Sequence, residues 1–288
     1  MASDTVAVPA ESTVVGRPSR GFGALGRYVT LGVLGLIVAF PIYIVLLNSV
    51  LPARDVTNGR LLPRIDLNWG NYSKAWSGEM ARYLGNSLLV AALITIGQIA
   101  TSILAAYAFV FLRFRGRSLL FFLVLATLMV PSEVTIVSNF QTISSLGWNN
   151  SYLALVVPFT ATAVGIFLLR QTFLGVPRDL RDAAALDGYG HMGFLWRVVV
   201  PLSRPAIGAL AVFGFLGAWN QYLWPLFVTD EEKYRTVQIG LKGLVEQNAE
   251  NLPVAMAATV LAALPLAILL IVFQKQLIRG LTAGAVKG

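Results

Sequence analysis

The 288-residue chain contains no cysteine, one histidine and few charges. The absence of cysteine excludes disulfides and thiolate chemistry. His191 has no companion with metal-ligand spacing, and no catalytic triad can be built around it. It is expected on the surface of a short helix. Charged residues make up 12% of the chain, against about 25% in an ordinary soluble domain. No Gly-x-x-x-x-Gly-Lys-[Ser/Thr] loop is present, so any ATP must be bound elsewhere. No internal repeat of the kind seen in secondary transporters stands out.

Apolar residues fill the space left by these absences. They account for 56% of the chain, and mean hydropathy is +0.70. A spanning helix needs about 20 apolar residues. Six segments meet that length, at roughly 28–51, 86–112, 118–139, 152–172, 205–227 and 253–275. Five carry a proline, namely Pro41, Pro131, Pro158, Pro225 and Pro265. Proline frees backbone groups that neighbouring helices must satisfy. Bent helices around a pathway account for this pattern, and so does the ordinary abundance of proline in membrane helices. The fold expected is an all-α bundle of six transmembrane helices.

Segment 1–27 reads as polar and loosely structured. The run after it is too long for a cleaved secretory signal. Arginine is dense at Arg113, Arg115 and Arg117, and again at Arg178, Arg181, Arg197 and Arg204. The positive-inside rule puts these segments, and both termini, in the cytoplasm. The net charge of +8 is therefore assigned to membrane orientation and not to nucleic acid. Trp69, Trp76 and Trp148 fall in outer segments, where they suit headgroup-level anchoring. The domain organisation expected is a 28–275 membrane domain with an inner loop at 173–204 and a tail at 276–288.

The 173–204 loop has its own local logic. Pro177 suits the first position of a helix, and Asp179 complements its dipole. Ala183, Ala184, Ala185 and Leu186 favour helix. Gly188 can end it in the left-handed conformation. Tyr189 to Val200 can form a second short amphipathic helix, closed by Pro201 and Pro205. The unit is a compact knuckle. It suits a groove on a partner, or alternatively an interfacial hairpin.

The spacing within this loop carries a resemblance. Asp182-Ala183-Ala184, three residues, Gly188, nine residues and Val198-Val199-Val200-Pro201 resemble the "EAA" loop of permease subunits of bacterial ATP-binding-cassette importers. Asp182 stands where the family usually has Glu, and Tyr189 replaces a commonly small residue. The resemblance implies a type I importer permease fold in the bacterial inner membrane. It also implies a non-catalytic role, in which Asp182, Ala183, Ala184, Asp187, Gly188 and Pro201 couple to an ATPase. The implied partners are a homologous second permease, two ATPase subunits that bind ATP and Mg, an extracytoplasmic substrate-binding protein and the bilayer. Arg279, Gly280, Leu281 and Thr282 lie in a tail similar to that of the maltose-type permease, which in relatives reaches the ATPase dimer.

Two further stretches resemble the second permease of the glycerol-3-phosphate importer. They are Thr127 to Val134 and Trp219 to Leu226. The resemblance implies glycerol-3-phosphate or a glycerophosphodiester such as glycerophosphocholine as substrate, with maltose or trehalose as the alternative. Counted along straight helices, Glu133 and Asn220 both reach about 22 Å into a ~30 Å core. Glu133, Asn220, Gln221 and Tyr222 are candidates to line a pathway, with Gln98 a lesser one. Interhelical hydrogen bonding is the other reading of Asn220 and Gln221. Glu133 would meet a choline cation or an arginine of the partner permease. A self-sufficient secondary transporter and a membrane enzyme are the rival classes. The scarcity of charge in the spans argues against the first. The single histidine and absent cysteine argue against the second.

Overall fold

The computed structural model describes residues 22–77, 79–247 and 252–282. Every regular element among them is helical. The chain divides into two units, 1–44 and 45–288. Most of α1 (Phe22–Val50) forms the described part of the first unit, with Pro41 inside the helix. Its surface is apolar and exposed, as at Leu36, Ile37 and Val38. Residues 22–27 were expected to be loose, yet they open this helix. No proline interrupts the chain between Pro18 and Pro41, and Ala24 and Leu25 are strong helix formers.

The second unit begins with two short helices, α2 (Ala53–Thr57) and α3 (Gly70–Trp76). α4 (Met80–Phe111) then runs 32 residues without proline. α5 (Arg117–Ala126), α6 (Ser132–Ser145), α7 (Tyr152–Val156), α8 (Ala163–Leu174) and α9 (Arg178–Leu186) follow. Next come α10 (His191–Leu202) and α11 (Arg204–Trp219). The chain closes with α12 (Leu223–Val228), α13 (Val237–Gln247) and α14 (Leu252–Thr282).

Among the described residues three helices are long and apolar enough to cross a membrane, and three bent pairs raise the number to six if each pair is one span. Their number matches the sequence reading, but their shapes do not. The second span starts at Met80, six residues before its predicted start at 86. The sixth span ends at Lys275 as predicted, and its helix continues to Thr282. The third bends by 105° between α5 and α6. Pro131 is the cause, because it forces Val130 out of the α region into an extended conformation (φ −92°, ψ 113°). Glu133 therefore sits in the first turn of a new helix, and its depth cannot be counted from Ser118.

The fourth span bends by 42° where Pro158 occupies a 3-10 turn, Val157–Phe159. Its freed carbonyls are taken up by neighbours, as lipid-embedded backbone requires. Gln98 Nε2 donates to the Phe159 carbonyl at 3.0 Å, and Thr101 Oγ1 to that of Thr160 at 2.8 Å. Trp224 Nε1 donates to the Ala154 carbonyl at 2.9 Å. The predicted fifth span, 205–227, stops at Trp219. Asn220 caps α11, and Pro225 belongs to the separate helix α12.

Lipid is as apolar as leucine, so close packing and hydrogen bonds hold such helices together more than apolar burial does. Glycine permits the close approaches. A Cβ on Gly97 would meet Thr160, and one on Gly165 would meet the Ser102 hydroxyl. Two large apolar cores result among the described residues, beside a small cluster of Leu47, Leu51 and Val56. One gathers Leu84, Ile94, Leu155, Trp219 and Val237. The other gathers Ile103, Tyr107, Phe173, Phe194 and Leu210. α4 contributes to both.

Candidate functional site

The predicted knuckle forms, and its turn is specific. Pro177, expected at the first helical position, instead caps α9, one position before its first residue Arg178. At the other end Tyr189 N–H donates to the Ala184 carbonyl at 2.8 Å, and Gly188 N–H to that of Ala185 at 3.1 Å. These two bonds make a Schellman ending, which needs a left-handed residue after the cap. Gly188 supplies it with φ +78°. Ala184 is buried in the second core, whereas Asp182, Ala183 and Asp187 are exposed. The knuckle thus has one face fixed to the bundle and a charged face, with Arg178 and Arg181 beside the aspartates, turned outward.

The second helix has the predicted length but starts and ends two residues later, at His191 and Leu202, and it includes an unpredicted feature. Residues Leu195–Val199 form a π turn immediately before Pro201. In a regular α-helix the Pro201 ring would crowd the carbonyl of Arg197 and leave it without a donor. The wider turn relieves that crowding. Pro201 was expected to close the helix. It lies inside it, and the chain turns by 77° between α10 and α11.

Two side chains missed in the sequence hold the halves of the joint. Arg197 stacks on the Tyr189 ring at 4.7 Å, so the unusual Tyr189 has a definite contact. Tyr107, near the end of α4, is buried. Its hydroxyl lies 3.0 Å from His191 Nδ1 and donates to the His191 carbonyl at 3.1 Å. His191 is exposed as expected, yet it is tied to α4. Phe111 packs edge-to-face on Phe194 at 5.3 Å. Nothing in the spacing of the sequence signals these contacts. Arg170 of α8 stacks on Phe121 at 4.1 Å.

A groove of about 350 Å³ brings four of the five pathway candidates together. Glu133, Asn220, Gln221 and Tyr222 line it, with Thr135, Asn139, Phe159 and Trp224. Glu133, Ile136 and Asn139 share a face because they are three residues apart on α6. This repeat is visible in the sequence once a helix start is placed after Pro131. Gln98 does not line the groove, but it holds the backbone of Phe159, which does. The Gln221 Oε1 is a buried acceptor with no hydrogen-bond partner among the described residues. Asn220 Nδ2 donates to the Leu216 carbonyl at 2.9 Å. Lys242, on α13, donates to Tyr222 Oη at 2.7 Å and lies 5.0 Å from its ring centre. The groove therefore combines aromatic walls, amides, a carboxylate and a nearby ammonium.

Arg279, Gly280, Leu281 and Thr282 lie at the end of α14. Residues 1–21 and 283–288, parts of the predicted flexible segment and tail, lie outside the described residues. Trp69 and Trp76 are exposed, whereas Trp148 packs against the first core. Between α2 and α3, Arg64 donates to Asp55 Oδ2 at 2.9 Å. That bond holds the Asp55 carboxyl below its ordinary range.

Residues 98–283 match the family described as "Binding-protein-dependent transport system inner membrane component". The chain is 38% identical over 262 residues to the sn-glycerol-3-phosphate transport system permease protein UgpE of Agrobacterium fabrum, covering 86% of this chain and 93% of that one. It is 35% identical over 260 residues to the arabinooligosaccharides transport system permease protein AraQ of Bacillus subtilis, covering 88% and 92%. Among solved structures it resembles a chain of a bacterial ABC transporter involved in import of the acidic polysaccharide alginate. The TM-score is 0.81 at 23% identity, covering 90% of this chain and 99% of that one, a likeness of fold. The chain belongs to the family of inner membrane components of binding-protein-dependent transport systems, as an ABC-importer permease of carbohydrate type.

Proposed function

We propose that this permease takes up glycerol-3-phosphate or a glycerophosphodiester such as glycerophosphocholine, driven by ATP hydrolysis on separate subunits. The observation that carries the reading is the meeting of Glu133, Asn220, Gln221 and Tyr222 around one groove, with the Lys242 ammonium 2.7 Å from Tyr222 Oη. A carboxylate alone would repel a phosphate. A nearby ammonium offsets that repulsion, and the carboxylate suits a cationic headgroup. The unpartnered Gln221 suits a hydroxyl of the glycerol. Similarity to glycerol-3-phosphate permeases over most of the chain supports the same choice.

In this reading the chain pairs with a homologous permease, two ATPases and an extracytoplasmic binding protein. Both termini lie in the cytoplasm. The 178–200 joint and the end of α14 meet the ATPases, and Asp182 and Asp187 present charge to them. ATP closes the ATPase dimer and moves the joint, and the helices tilt to open the pathway outward. Hydrolysis resets it. The binding protein supplies much of the selectivity.

A second reading is an oligosaccharide or a disaccharide such as maltose or trehalose. The similarity to an arabinooligosaccharide permease and the aromatic rings of the groove favour it. Uptake of labelled glycerophosphocholine, glycerol-3-phosphate, maltose, trehalose and arabinooligosaccharide is to be compared in cells with and without the chain. Loss of phosphate-ester uptake alone is the expected result. Loss of a sugar alone overturns the substrate and retains the importer.

A further inference from the structure

α4 is the longest helix in the second unit, and it has no proline or break. Each end is fastened by side chains to a different loop. At one end the buried Tyr107 meets His191 at the start of the second joint helix. At the other, Asn86 Nδ2 donates to the carbonyls of Lys233 and Arg235 at 2.8 and 2.9 Å. Ser87 Oγ accepts from Val237 N–H at 2.8 Å. Tyr152 Oη donates to Asn86 Oδ1 at 2.8 Å, which leaves the amide held on both sides. Asn86 and Tyr107 are roughly 31 Å apart along the helix, close to the thickness of a bilayer core. The neighbouring third, fourth and fifth spans are all broken by bends. A displacement of the joint would be absorbed at those bends, while α4 would transmit it.

We propose that α4 is the strut that links the coupling joint to the 229–237 loop, and that Tyr107 is the positioning residue at its inner end. This rests on the coupling-joint reading above. The hydroxyl of Tyr107 carries one proton. When it donates that proton to the His191 carbonyl, its contact with Nδ1 is a hydrogen bond only if Nδ1 carries a proton and donates to the Tyr107 oxygen. The paired arrangement therefore fixes both the backbone and the ring of His191. Phe111 against Phe194 gives the same junction an apolar contact that does not depend on the hydroxyl.

The test uses the whole transporter in proteoliposomes, with its partner permease, ATPases and binding protein. Three quantities are read: co-purification, ATPase activity with and without loaded binding protein, and substrate imported per ATP. Tyr107→Phe retains the ring and the core. It is expected to assemble with basal ATPase unchanged, and to lose about fivefold in binding-protein stimulation, the scale of one hydrogen bond. His191→Ala, which removes the ring bond but leaves the Tyr107 bond to the residue 191 carbonyl, should show part of that loss, and His191→Asn, whose amide can replace Nδ1–H, should restore coupling. Asn86→Ala should also reduce stimulation, and the double variant with Tyr107→Phe should be no worse than the weaker single variant, because both act through one element. An assembled Tyr107→Phe transporter stimulated like wild type overturns the strut. So do losses that simply multiply in the double variant. If Tyr107→Phe does not assemble, His191→Ala against His191→Asn decides. Failure of the wild-type complex to couple ATP to uptake would instead overturn the coupling-joint reading, and the strut with it.

Discussion

Gln98 on α4 donates its side-chain amide to the backbone carbonyl of Phe159, 61 residues further along the chain, at 3.0 Å. The bond satisfies a carbonyl left open where the fourth span breaks between Phe159 and Ala163. Gln98→Leu should therefore leave an unpaired acceptor inside the bundle. Hydrogen bonds between membrane helices contribute roughly 0.6–1.7 kcal/mol. Thermal unfolding of the purified complex should fall by a few degrees, and an unchanged midpoint would remove the bond from the stability of the break.

Gly188 has open space around its α-carbon, so a side chain there meets no neighbour. The obstacle is φ of +78°. Gly188→Val should cost on the order of 1–3 kcal/mol in the turn, whereas Gly188→Asn should be close to neutral because Asn tolerates this region. We expect Gly188→Val to assemble poorly or to hydrolyse ATP without transport. Normal coupled uptake in that variant would count against the joint.

Glu133→Gln keeps the shape of the groove and removes its carboxylate. Uptake of a substrate with a cationic headgroup should fall roughly tenfold, the scale of a partly screened charge–charge attraction at close range. Co-purification of the complex should be unchanged. Equal uptake and equal stability in the variant would leave Glu133 without a part in the pathway.

The Asp55–Arg64 pair makes a pH prediction of definite sign. Its hydrogen bond to Arg64 lowers the Asp55 carboxyl from its ordinary value. The folded state therefore gains stability above the unfolded carboxylate range, and the gain disappears as pH falls through the lowered folded value. Wild type should lose more stability on acidification than Asp55→Asn does. Parallel melting curves for the two proteins from neutral to acidic pH would contradict the pairing.

The number of spans and the knuckle were legible because both depend on local composition. Apolar runs of spanning length mark the first, and Pro177, the alanines and Gly188 mark the second. The breaks were only half legible. Pro131 was visible, but proline also occurs inside the continuous helices α1 and α14, at Pro41 and Pro265. What separates the cases lies outside the proline itself. At the fourth-span break, Trp224 donates to the Ala154 carbonyl that Pro158 frees, and Gln98 and Thr101 donate to those of Phe159 and Thr160, all from far along the chain. Lys242 and Tyr107 escaped for the same reason. Each matters through one long-range partner, and no short-range spacing identifies such a pair. The groove at Glu133 was legible as residues and not as a shape, because the turn at Pro131 changes which residues Glu133 accompanies.

The broken third span has a consequence for how the chain enters the membrane. α5 contains 10 residues, or about 15 Å, which is half of a ~30 Å hydrocarbon layer. Neither it nor the backbone around Val130 can sit alone in lipid without exposed polar groups. α5 does have partners in place, since Phe121 meets Phe109 of α4 edge-to-face at 5.5 Å and lies under Arg170 of α8. Insertion of this span must therefore wait for helices made both before and after it. A nascent chain truncated before α8 should leave 117–145 accessible to protease, and a chain extended past Leu174 should protect it. Biogenesis of this permease is then a cooperative event, in which the sequence behind a segment decides whether that segment stays in the bilayer.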